Sequence, residues 1–214
     1  MQGKRRPQGG KHGERNNNSR NKNNSRNRSN QGRNKKKKMV SKVNPKDLVK
    51  KASVFESEKF TSEMVFSEFP IQDRLLKNIE KKGYENPTEI QEKSIDFQLE
   101  GKDVIGIAET GSGKTGAFLI PIINEMLEKP KTQALVILPT RELAQQVLQE
   151  FKDLTVGFNI RSACFIGGTN VNKDINVAKG HPQFIVGTPG RLKDLTSQRA
   201  LSLKRVNTLV LDEF

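Results

Sequence analysis

Two short stretches of the 214-residue chain carry residue types whose spacing could do chemistry. The first is Ala108-Glu109-Thr110-Gly111-Ser112-Gly113-Lys114-Thr115, which follows an apolar run and opens a helical pattern. That context makes a glycine-rich string a phosphate loop. Gly111 and Gly113 let the backbone curl so that its N–H groups converge on a triphosphate, and the helix N-terminus adds partial positive charge. Lys114 is then placed for the β- and γ-phosphates and Thr115 for Mg²⁺. The first position holds Ala108, so a search for two flanking glycines fails here. The second stretch is Leu209-Val210-Leu211-Asp212-Glu213, an apolar run ending in two acids. Sheet ligands sit at the carboxyl ends of strands, so Asp212 is the expected Mg²⁺ ligand and Glu213 the general base that polarises an attacking water.

These groups need a frame that puts both stretches at one edge. Five apolar runs read as buried parallel strands: 104–107, 134–138, 163–166, 184–186 and 206–211. Helical patterns lie around them at 71–82, 88–99 with Thr88 as N-cap, 114–129, 141–154, 171–179 and 190–198. Alternating strands and helices predict an α/β domain with a parallel sheet over 66–214.

The basic excess does not belong to that domain. Residues 1–38 hold 14 of the 38 Lys and Arg and one acid, Glu14, leaving 24 bases against 23 acids beyond them. Met1 is the tail's only apolar side chain, so composition predicts disorder, with 39–65 as a linker. Such a tail is either a solubilising extension or a phosphate-binding arm that attracts polyanions without reading sequence. A single cysteine, Cys164, rules out an internal disulfide and fits a reducing cytoplasm. No apolar run approaches the roughly 20 residues that span a bilayer, so no membrane partner is expected.

From Phe66 to Glu213 the motifs resemble those of the DEAD-box RNA helicases. Gly83 to Gln91 is similar to the family's adenine-reading segment, with Phe66 at the spacing of its upstream aromatic. Gln91 is able to pair bidentately with adenine, and Tyr84 offers a ring for stacking. Three more segments resemble its RNA-contacting motifs: Pro139-Thr140-Arg141-Glu142-Leu143-Ala144, Gly167-Gly168, and Thr188-Pro189-Gly190-Arg191. Each follows an expected strand, which would align Pro139, Thr140, Arg141, Gly167, Gly168, Thr188, Pro189, Gly190 and Arg191 along one sheet edge. Hydroxyls, glycine N–H groups and arginines direct donors at phosphate, and without an aromatic platform the RNA contacts should be sequence-independent.

The resemblance implies a RecA-like ATP-binding domain and ATP-dependent RNA unwinding. It departs at Phe214, where the family has a small residue followed by Asp. The 214 residues are read as the N-terminal part of a longer protein, without the second RecA-like domain and its arginine finger. The strand that follows the acidic motif in such sheets would lie between the phosphate-loop strand and the acidic strand. Its absence should leave two parallel strands with unpaired, buried edges. Two other functions remain open: a P-loop NTPase acting on DNA or as a translocase, and a non-enzymatic RNA-binding or annealing protein that works through its tail.

Overall fold

A computed structural model describes residues 60–213. The expectations for the tail, for most of the 39–65 linker and for Phe214 lie outside the described residues. Among these residues a 3₁₀ turn at Phe66–Glu68 is followed by six α-helices and four strands in order: α1 (Asp73–Lys81), α2 (Glu89–Leu99), α3 (Lys114–Glu128), β1 (Gln133–Ile137), α4 (Arg141–Leu154), β2 (Ser162–Phe165), α5 (Val171–Lys179), β3 (Phe184–Gly187), α6 (Pro189–Ser197) and β4 (Val206–Leu211). The sheet is wholly parallel in the order β2-β3-β1-β4.

The inner strands β1 and β3 are almost wholly apolar because both of their faces are covered. Alternate side chains point to opposite faces, so Ala134, Val136, Phe184 and Val186 enter a large core with α1, α2, α3 and α4. Their neighbours Leu135 and Ile185 enter a smaller core with Ala178 of α5 and Leu192 and Leu195 of α6. The centre of the larger core is a stack of Phe151 on Phe184, with ring centroids 3.8 Å apart and planes 7° from parallel.

Helix ends and breaks are satisfied by side chains from other elements. Pro121 lies inside α3 and cannot donate back to the Ala117 carbonyl. Gln98 Nε2 of α2 donates to that carbonyl instead, at 3.0 Å. Asn78 of α1 donates to Leu154 O and Val156 O at the end of α4. Asn124 of α3 accepts the N–H of Gln72, which precedes α1. The Gln98 and Asn124 bonds fasten the phosphate-loop helix α3 to the segments that precede it, and the Asn78 bonds fasten α1 to α4.

One expected strand is not formed. Residues 104–107 lie outside the sheet, with Ile105 93% and Ile107 95% exposed. An apolar run becomes a strand only where a neighbour takes up its N–H and C=O groups. Here β3 and β4 occupy both sides of β1, and among the described residues no strand pairs with the outer edge of β4. The expected open edges are therefore present on β4 but not buried: Leu209 and Leu211 are 57% and 62% exposed. The sheet has four strands rather than five.

Candidate functional site

The phosphate loop joins the exposed 104–107 segment to α3. Gly113 caps that helix in a left-handed conformation, φ +95°, which glycine adopts without strain. A Cβ there would also lie 2.6 Å from Thr88 Oγ1 and 2.8 Å from Gln91 Nε2, so only glycine lets α2 close on the loop. Lys114 Nζ donates to Ala108 O at 2.7 Å and Glu109 O at 3.2 Å. Ser112 Oγ is buried without a partner. A lysine held in its own loop's carbonyls, beside an unpartnered hydroxyl, fits a place that anionic oxygens would fill.

The acidic pair reaches the same place. Asp212 N–H donates to Ile137 O, which seats the residue at the carboxyl end of the sheet. Glu213 Oε1 lies 3.6 Å from Lys114 Nζ, and Glu213 is one of three non-glycine residues with positive φ among those described. Burial, and then the neighbouring Glu213 charge, raise the Asp212 pKa above the ordinary carboxylate value, against the opposing pull of Lys114. Among the described residues no three His, Cys, Asp or Glu side chains gather at a metal-binding spacing. One carboxylate and the Thr115 hydroxyl suit a cation that keeps water and substrate phosphates as its other ligands.

The adenine-reading candidates lie directly behind this loop. Gln91 is 3% exposed; its Oε1 accepts the N–H of Thr88 at 2.9 Å and its Nε2 donates to Gly113 O at 3.0 Å. Both ends of the amide are thus engaged within the protein, and bidentate pairing with a base requires exchanging them. Phe66 is buried and tilted 30° to the Tyr84 ring at 6.1 Å, so it backs Tyr84 rather than facing an open site. Tyr84 also lies against Gly116, where a Cβ would sit 3.3 Å from its ring. Its hydroxyl donates to Glu150 Oε1 of α4 at 2.5 Å. Burial, then that bond, push the Tyr84 pKa well above the ordinary phenol value. Lys82 pairs with Glu150 Oε2 at 2.9 Å and with Asp153, closing a network from α1 to α4.

The RNA-contact candidates other than Pro189 also converge. An open cleft of about 630 Å³ is lined by Pro139, Thr140, Arg141, Gly167, Gly168, Thr188, Gly190 and Arg191. Thr140 caps α4 by accepting the Leu143 N–H, and Thr188 stands at the N-cap position of α6, without a side-chain capping bond, with Pro189 in the first turn. Gly168 has φ +81°, and a Cβ on it would lie 2.4 Å from Arg141 Nη1, so the glycine pair is what Arg141 rests on. Arg191 is different. It is 7% exposed and paired with Asp174 Oδ2, and it donates to Thr169 Oγ1 at 3.2 Å and Thr169 O at 3.0 Å. The structure makes it a strut between α6 and the loop before α5. Glu142, within a quoted motif but not among its expected contacts, and Asp194, not singled out from sequence, line the same cleft. Asp194 follows Arg191 by three residues on a helix, a spacing that would have placed it on the same face.

Fold and site together define a parallel α/β domain with a phosphate loop and an acidic pair at one sheet edge. A model of the DEAD/DEAH box helicase family matches residues 88–214, and the chain belongs to that family. It is 48% identical over 151 residues to the ATP-dependent RNA helicase CshA of Limosilactobacillus reuteri, which covers 70% of this chain. It is 46% identical over 149 residues to CshA of Listeria monocytogenes serovar 1/2a, which covers 69% of it. The matches span only 30% and 29% of those relatives' lengths. The crystal structure of a hypothetical ATP-dependent RNA helicase from Sulfolobus tokodaii superposes with a TM-score of 0.60 at 35% identity, over 66% of this chain and 41% of that one. Among the described residues no helix is long and apolar enough to cross a membrane.

Proposed function

We propose that this chain is the N-terminal, nucleotide-binding part of an ATP-dependent RNA helicase that grips an RNA backbone without reading its sequence. One observation carries this reading. The acidic pair that follows β4 lies against Lys114 of the phosphate loop, and the cleft is lined by loops that follow β1, β2 and β3, so both gather at the carboxyl side of one sheet. In this reading Lys114 leaves the Ala108 and Glu109 carbonyls for nucleotide phosphates, and Glu213 orients the attacking water. Thr115 and Asp212 hold Mg²⁺, which when bound neutralises charge on the phosphates. Tyr84, backed by Phe66 and tethered by Glu150, presents a ring to adenine, and Gln91 links the base side to the phosphate loop. Thr140, Arg141, Gly168 and Gly190 supply hydroxyl, guanidinium and backbone donors to successive RNA phosphates.

The RNA half is tested by fluorescence anisotropy of a labelled U12 oligonucleotide on the chain and on its Arg141→Ala variant. The basic N-terminal segment is the same in both. We expect Arg141→Ala to weaken binding by about 10-fold, as for a lost charge-assisted contact of about 1.5 kcal/mol, equally for U12, A12 and C12. Unchanged binding would remove the cleft from the RNA path.

A further inference from the structure

The amino end of the sheet, away from both sites above, holds a cavity of about 230 Å³. Its lining includes Gln133 at the start of β1, Lys179 and His181 at the end of α5, and Arg199 and Ser202 after α6. We infer that this cavity is a second binding site, for an acidic peptide segment of a protein partner.

Three observations point there. The lining holds three basic side chains and no carboxylate, and none of the ion pairs among the described residues involves Lys179, His181 or Arg199. Second, His181 and Arg199 both have left-handed backbones, φ +48° and +57°. Apart from Glu213 they are the only non-glycine residues with positive φ among those described. Each follows the end of its helix, where glycine is the usual and unstrained choice. Backbone N–H groups already close both ends: His181 N donates to Ala178 O, and Ala200 N donates to Leu195 O. Neither side chain is needed as a cap, yet both positions carry bulky basic residues directed to one cavity. Strain held at a functional group is a signature of a binding site.

Third, Gln133 is 6% exposed and its amide is half satisfied. Nε2 donates to Pro182 O at 2.7 Å, and the backbone N–H donates to Asn207 Oδ1 at 3.2 Å across an irregular register with β4. Oε1 is buried with no partner. The cavity therefore offers the Lys179 and Arg199 cations around one acceptor that lacks a donor. A phosphodiester group satisfies the cations but has no hydrogen-bond donor of its own for Gln133, the nearest on RNA being a ribose 2′-hydroxyl. A peptide carboxylate with its neighbouring main-chain N–H satisfies both. Helices α5 and α6 both start at the carboxyl side of the sheet, so the occupant would leave the cleft free.

The test uses the whole ¹⁵N-labelled chain titrated with the tetrapeptide N-acetyl-Asp-Glu-Asp-Glu-amide, and separately with U6 RNA. A second chain carries His181→Gly and Arg199→Gly, changes that ease the left-handed backbone while removing the Arg199 charge and the His181 imidazole. Saturable peptide shifts at the Gln133 side-chain amide and at residues 179–181 and 199–202 are expected. The double variant should bind the peptide about 10-fold more weakly or worse while melting at a higher temperature. Peptide shifts confined to residues 1–38, equal affinity in the double variant, or saturation of these residues by U6 but not by the peptide would each overturn the assignment.

Discussion

Arg191 is the residue where a sequence motif and the fold disagree most, and its replacement separates the two. Its guanidinium is 7% exposed, paired with Asp174, which is itself 8% exposed, and bonded to Thr169 through hydroxyl and carbonyl. The Thr169 hydroxyl lies 2.9 Å from both Ile166 O and Asp174 Oδ2, so removing the cation unsettles the whole Ile166–Asp174 turn. Breaking a buried pair leaves an uncompensated charge, a loss of about 3–5 kcal/mol. Arg191→Ala should therefore cost that much in urea unfolding. Replacing both partners with apolar residues, Arg191→Met with Asp174→Leu, should recover most of it, because the pair's own desolvation cost disappears with its attraction. If Arg191 instead served RNA directly, the alanine variant would unfold within about 0.5 kcal/mol of the parent, as a surface change does, and lose U12 affinity. That result would refute the strut.

Tyr84 and Glu150 should behave as one unit. Tyr84→Phe and Glu150→Gln in a double-mutant cycle should show a coupling of about 1–3 kcal/mol in unfolding, and each should weaken ATP binding by about 2–10-fold through the freed ring. Cys164 is partly buried, and burial is the main reason that its thiol is pushed up to about 11, so it should resist disulfide reagents at neutral pH and react at once on unfolding. The raised Asp212 pKa means that protons compete for this carboxylate at a higher pH than for an ordinary one. Mg²⁺-dependent ATP affinity should accordingly fall on acidification before the Mg²⁺-independent part does, as a nucleotide titration across pH would show.

Much of the frame was legible because its signals are local. The 141–154 and 171–179 helices match their expected bounds, since Thr140 and Asn170 cap helices whose apolar faces repeat at helical spacing. Thr88 begins α2 as expected, and the 206–211 strand is present in full. The 104–107 run was misjudged because hydrophobicity reports a tendency to be buried and says nothing about whether a neighbouring strand is present. What sequence could not show were partners far apart in the chain. Arg191 finds Asp174 17 residues away, Tyr84 finds Glu150 66 residues away, and Gln133 meets Pro182 across 49. A motif tells which residues gather at a sheet edge, but not which of them are consumed in holding it. Gln91 and Arg191 both belong to motifs, and both spend their polar atoms inside the protein.

The central claim is that Lys114 and the Asp212–Glu213 pair form one nucleotide site, and calorimetric titration of the chain with ATP tests it most directly. Binding should require Mg²⁺ for full affinity, and Lys114→Ala should abolish measurable binding while leaving the melting temperature nearly unchanged, since the lysine's partners are two loop carbonyls and one exposed carboxylate. ATP affinity that survives Lys114→Ala, or that is indifferent to both Mg²⁺ and Asp212→Asn, would contradict it.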